Sequence, residues 1–168
     1  MRRLITLTRV LALLLLLSLS FSLLSCSGGN IEYCELGISL PEDFKKTDGG
    51  ETYDLAYSNG VIFVGILRIS HDAAAEVSMP TTMTPLKLAE LHLLENGMAG
   101  ENSEIREEGD VPYYTYKSGE GMADYFYMPT FYCTPFAYFI ITFITPAPVG
   151  DASIPEILSY VSTVYLIP

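Results

Sequence analysis

The sequence predicts an α+β fold, one antiparallel sheet flanked by helices in a single domain, and three observations carry that prediction. Strand-like runs cluster instead of alternating singly with helices, which argues against βαβ units. Two segments have helical spacing, one mid-chain and one C-terminal. Two β-rich runs, Thr52 to Tyr57 and Val61 to Ile69, meet at Ser58-Asn59-Gly60, and Asn-Gly tolerates the positive φ that a hairpin turn needs.

Taken in order, Ile31 to Leu40 alternates loosely and predicts a first strand ending at Pro41, with a turn or short helix over Glu42 to Lys46. Asp48-Gly49-Gly50 reads as a turn. After the hairpin, His71 to Met83 reads as a polar loop. Thr84-Pro85 then supplies an N-cap and a proline at the first helical position, where its missing N–H costs nothing. Leu86, Ala89, Leu93 and Leu94 recur at helical spacing, and Gly97 or Gly100 is the expected stop.

Four more strands are predicted over Ser103 to Glu108, Pro112 to Lys117, Met122 to Tyr132 and Phe136 to Thr145. Gly119-Glu120-Gly121 and Thr134-Pro135 are the expected turns between them, and Pro146, Pro148 and Gly150 end the sheet. Ser153-Ile154-Pro155-Glu156 has capping-box spacing and predicts the start of a helix through Ile157, Leu158, Val161 and Val164.

The N-terminus carries the chain's sharpest motif. Arg2, Arg3 and Arg9 precede a leucine-rich run from Val10 to Leu24, which is shorter than the roughly 17 to 25 residues of a spanning helix. A charged start, a short apolar stretch and small residues after it read as an export signal. Leu23-Leu24-Ser25-Cys26 resembles the bacterial lipoprotein box, although Leu24 is bulkier than usual there. The resemblance implies cleavage before Cys26 and a diacylglyceryl anchor on that cysteine, and two acyl chains hold a protein on a membrane where one does not. The expected organisation is a signal peptide over 1–25, lipidated Cys26 with a short tether over 26–30, and a globular domain over 31–168. An ordinary signal peptide and an uncleaved membrane helix are the alternatives.

Removal of the leader leaves 143 of the 168 residues, with Lys45, Lys46, Arg68, Lys87, Arg106 and Lys117 against 20 acidic side chains, a net charge of −14. That balance repels nucleic acid and anionic lipid, so neither is expected as a ligand of the bare domain. Cys34 and Cys133 could pair outside the cytoplasm, where closing so long a loop is worth about 4.7 kcal/mol on the chain-entropy argument, or could stay free thiols.

Catalytic chemistry has little to stand on. There is no G-x-S-x-G elbow, no calcium-loop spacing in the acidic stretches 48–54 and 101–110, and no phosphate loop or dinucleotide fingerprint, so no metal site and no cofactor are expected. His71-Asp72 follows a predicted strand, and His92 is expected on the wetter face of its helix beside Glu95. The remaining signal is tyrosine, 12 in all with no tryptophan. Alternation places Tyr114 with Tyr116, and Tyr125 with Tyr127, on shared faces. Such rings serve either as packing under a helix or as a binding surface.

The element order, the entry Ile38-Ser39-Leu40-Pro41 with Phe44, the Tyr114/Tyr116 strand before a glycine turn, the strand ending Phe139-Ile140-Ile141-Thr142-Phe143 and the closing Ser159 to Leu166 helix together resemble the PsbP-like α/β/α sandwich over roughly 31–166. That family includes photosystem accessory subunits, a nuclear-import factor that binds a small GTPase and bacterial lipoproteins of unknown role. The resemblance implies binding and assembly without catalysis. The expected protein is therefore a non-catalytic binding or accessory lipoprotein on the extracytoplasmic face of a bacterial cell membrane, held there by lipid on Cys26, with a protein or cell-wall partner. A small hydrolase using His71 and Asp72, or a substrate-capturing lipoprotein of a transporter, are the competing classes.

Overall fold

The computed structural model describes residues 27–96, 104–118 and 124–167. The leader, Cys26, the glycines at 97, 100, 119 and 121, and part of the acidic stretch 101–110 lie outside the described residues. Strand β1 (Ser27–Tyr33) turns through Cys34 and Glu35 into β2 (Leu36–Thr47). Strands β3 (Leu55–Ser58) and β4 (Phe63–Ser70) follow, then helices α1 (His71–Glu76) and α2 (Pro85–Glu95). Short strands β5 (Arg106–Glu108), β6 (Val111–Tyr113) and β7 (Tyr116–Ser118) lead to the long pair β8 (Tyr125–Cys133) and β9 (Ala137–Pro146). Helix α3 (Ala147–Val161) and β10 (Tyr165–Leu166) close the chain.

All pairings are antiparallel, in the order β1-β2-β3-β4-β9-β8-β6-β5, with β10 on β2 and β7 on β8. The α+β class predicted from the sequence is the class observed. Alternation along β4, β8 and β9 divides the sheet's side chains between two layers. Val64, Ile66, Phe126, Met128, Phe139, Ile141 and Phe143 pack under α3 through Ile157, Tyr160 and Val161. On the other face Phe131, Tyr138 and Ile140 pack under α1 and α2 through Ala74, Leu88 and Ala89.

Several local expectations are corrected. Pro41 does not end a strand, and no helix forms over Glu42 to Lys46. β2 runs through the proline because Pro41 lies in a bulge of β2, between the Leu40–Gly29 and Lys45–Ser27 pairs, where a missing N–H is tolerated. The expected tether over Gly28 to Asn30 is paired backbone of β1. His71 to Glu76 is helical, because Ser70 accepts from the Ala73 N–H and so caps it. The hairpin turn has four residues, 59–62, with the Asn59 side chain accepting from Val61 and Ile62 N–H.

Helix α2 starts as predicted, with Thr84 Oγ1 accepting from Lys87 N at 3.2 Å. Its buried face is rotated from the predicted one: Leu88 and Ala89 are inside, whereas Leu86 and Leu94 are exposed. Helix α3 begins six residues earlier than its capping-box signal. Ser153 is interior and donates back to the Val149 carbonyl, and Pro155 sits on the outer face, where water can satisfy the carbonyl it leaves unpaired. Gly150 gives this helix its close approach, since a Cβ there would lie 2.3 Å from the Phe126 ring.

Candidate functional site

Helix length decides what the second face of the sheet leaves uncovered. An eleven-residue α2 is about 16 Å long, while the nine-residue β8 on which it packs extends about 31 Å. The helix packs on β6 and β8, over Tyr114 and Phe131. Beyond it, register sets Phe63 opposite Ile144, Ile144 opposite Tyr127, and Tyr127 opposite Tyr116, a mostly aromatic row across four strands.

An open cleft of about 280 Å³ lies on this row, lined by Tyr53, Phe63, Tyr125, Tyr127 and Ile144. Tyr53 is positioned by the sheet itself. Its ring lies on Gly65, where any Cβ would come within 2.5 Å of it, and it meets Phe63 at 5.7 Å. Tyr116 stacks flat on Tyr127 at 4.8 Å with 4° between the planes, bracing that wall from behind. Burial holds the Tyr53 phenol above its ordinary pKa, with the nearby Tyr127 adding to the rise and a hydrogen bond from Thr142 opposing it. Burial, with Tyr53 and Tyr127 adding to it, pushes Tyr116 up to about 12. Both rings are neutral phenols at ordinary pH.

Of the four tyrosines predicted as a binding surface, Tyr125 and Tyr127 line the cleft and Tyr116 supports it. Tyr114 is a correction. It is fully buried, stacks on Phe131 at 5.9 Å and shares a 2.6 Å hydrogen bond with His92 Nδ1. The sequence reading missed Tyr53 and Phe63, which flank the hairpin far from the tyrosine-rich stretch. The available signal was the residue pair Phe63 and Gly65 on one strand face. His92 is likewise corrected: it faces the core against Phe131 at 5.3 Å, and burial lowers its pKa.

His71 and Asp72 border a separate polar cavity of about 470 Å³ with Glu35, Arg68, Ser70, Pro135 and Phe136. Arg68 is committed there to Glu35 through two hydrogen bonds, 3.0 Å from Nε and 2.8 Å from a terminal nitrogen, which holds the carboxyl below its usual range. The His71 ring lies 4.9 Å from Tyr138, and its Nε2 is buried without a protein partner. Among the described residues, no group of three or more His, Cys, Asp and Glu side chains could hold a metal.

Cys34 and Cys133 are free thiols, not a disulfide. Cys34 sits exposed in the β1–β2 turn at positive φ, while Cys133 is partly buried on the α2 face at the end of β8, where burial pushes its thiol up to about 11. Among the described residues, no helix is long and apolar enough to cross a membrane.

The fold is thus that of a helix-flanked antiparallel sheet with an aromatic cleft on one face, and solved structures share its architecture. A crystal structure from Bacteroides thetaiotaomicron superposes with a TM-score of 0.60 at 15% identity, over 84% of this chain and 49% of that one, so the chain spans about half the length of that neighbour. Cyanobacterial PsbP from Synechocystis matches with a TM-score of 0.47 at 14% identity, over 83% of this chain and 92% of its own. Likeness at such identity speaks for fold alone. No family model and no curated protein matches the chain.

Proposed function

We propose that this protein is a non-catalytic binding module, exported and tethered to the extracytoplasmic face of a bacterial membrane through lipid on Cys26, that captures its ligand in the aromatic cleft. The observation that carries the reading is the row of rings left open beyond the end of α2. An uncovered apolar stretch on a sheet costs solvation unless something occupies it, and tyrosine supplies contact area at low entropy cost. Two-dimensional confinement by the anchor would raise the effective concentration of the cleft near membrane or wall partners.

Two measurements test it. Cys26→Ala is expected to abolish incorporation of labelled palmitate and to move the protein out of the salt-washed membrane fraction; unchanged fractionation rejects the anchor. A panel of small ligands read by thermal stabilisation should contain at least one that raises the melting temperature of the wild type and leaves Tyr127→Leu unmoved. Saturation at 100 times Kd adds about 2.7 kcal/mol, well within reach of such a screen. A panel with no such ligand rejects the cleft.

One observation favours a second reading, a small hydrolase: the unpartnered His71 Nε2 beside a polar cavity that also holds Asp72. Hydrolysis of a panel of esters and amides that is lost in His71→Gln would support it.

A further inference from the structure

We propose that the aromatic cleft binds a small soluble quaternary ammonium cation, held between the ring faces of Phe63 and Tyr127 with Tyr53 and Tyr125 closing the sides. The inference rests on the reading of the cleft as a ligand site and names the chemistry that fits it.

Three features converge on that ligand. The first is spacing. Phe63 and Tyr127 stand on β4 and β8 with only Ile144 of β9 between them, so their backbones lie two strand spacings apart, about 9.6 Å. Side chains rise roughly perpendicular to a sheet. A flat ring sandwiched between two others fills only about 7 Å of such a gap, on the ordinary carbon contact distance. Ile144 rises between them as the floor, so a methylated head resting on it meets the upper parts of both rings, where cation–π attraction acts over roughly 6 Å.

The second feature is charge. The five lining side chains carry none, and their aromatic faces are the negative side of the ring quadrupole. The whole chain has a net charge of −11, which draws cations and repels anions. The third is that, among the described residues, no carboxylate lines the cleft. A primary ammonium would bring three N–H donors into a cleft that offers only phenol oxygens, and buried donors without partners are costly. A quaternary head has no N–H to satisfy. Sugars, which need several hydrogen-bonding partners, are disfavoured by the apolar lining.

The test compares choline with 3,3-dimethylbutanol, its uncharged isostere, by calorimetry on the full chain in a nonionic polyoxyethylene detergent. Choline should bind at least tenfold more tightly than the isostere. Phe63→Leu and Tyr127→Leu, which keep apolar volume and remove the ring face, should each weaken choline at least fivefold with an unchanged circular dichroism spectrum. Should either variant misfold, Tyr125→Leu at an exposed position replaces it, with a threefold loss expected. Equal affinity for choline and the isostere, or no choline binding, overturns the proposal. Capture on phosphatidylcholine vesicles without binding of free choline also overturns it, since the cation would then belong to a lipid surface. A different panel ligand that stabilises the wild type but not Tyr127→Leu, with choline inert, removes the cation while leaving the binding module standing.

Discussion

Tyr114 and His92 show how much one residue's surroundings alter its meaning. Both read as polar side chains, yet they meet in the layer beneath α2, where the phenol bonds Nδ1 of an imidazole that burial keeps neutral. Because the folded pKa of His92 lies below the ordinary 6.5, the unfolded chain binds more protons as the pH falls through 6.5 towards the folded value. Stability is therefore complete above 6.5 and declines below it, by up to about 1.4 kcal/mol per pH unit inside that window. Urea unfolding between pH 7.5 and 5.5 should show this decline in the wild type and a shallower one in His92→Gln. Equal slopes would mean that His92 is solvated. Sequence spacing located this histidine on the helix correctly, but assigned it to the wrong face, because the leucines at 86 and 94 outweighed the smaller Ala89 in defining the apolar stripe.

At the scale of elements, local chemistry was most readable where a side chain satisfies its own backbone. Thr84 and Pro85 start α2 where expected. Asn59 shapes the turn between β3 and β4. Signals that depend on a neighbour misled: Pro41 looked like a strand end because the pairing that resumes beyond it, Lys45 on Ser27, is made with another segment, and Ser153-x-x-Glu156 has cap spacing although the helix already runs from Ala147. Pro155 is the residual cost of that longer helix. It removes one donor from the α3 ladder on the solvent side, so Pro155→Ala should stabilise the protein by about 1 kcal/mol, less than the roughly 3 kcal/mol of a peptide helix because proline also restricts the unfolded chain. Thermal unfolding would show it as a rise in Tm. A fall would indicate that the proline fixes the helix against the sheet.

Over the whole molecule, tyrosine is both mortar and surface. Tyr114, Tyr116, Tyr132 and Tyr160 all have phenols raised above 10 chiefly by burial. For such acids the unfolded chain releases its protons first as pH increases. The stabilisation they carry is intact below 10 and is lost as the pH climbs towards the folded values. Ultraviolet titration of tyrosinate should accordingly show a population of buried rings that ionise only with cooperative unfolding. A single smooth transition near 10 would contradict the burial of the tyrosine cluster. The acidity of the chain acts at this scale too, since it biases what approaches the open aromatic row without placing a charge inside it.

The α+β class, the β3–β4 hairpin, the cap of α2 and the shared faces of Tyr125 and Tyr127 were legible in the residues alone, because each follows from the period of a strand or from hydrogen bonds within a few residues. Which tyrosines are packing and which are wall depends on how distant elements come together. Alternation says that two residues share a face, but whether that face is covered depends on how far a helix reaches along a strand from which it is distant in sequence. α2 is about half as long as β8 and packs over its Phe131 end, and for that reason Tyr114 is sealed beneath it while Tyr127 is left beside Tyr53 and Phe63, partners that no local pattern brings together.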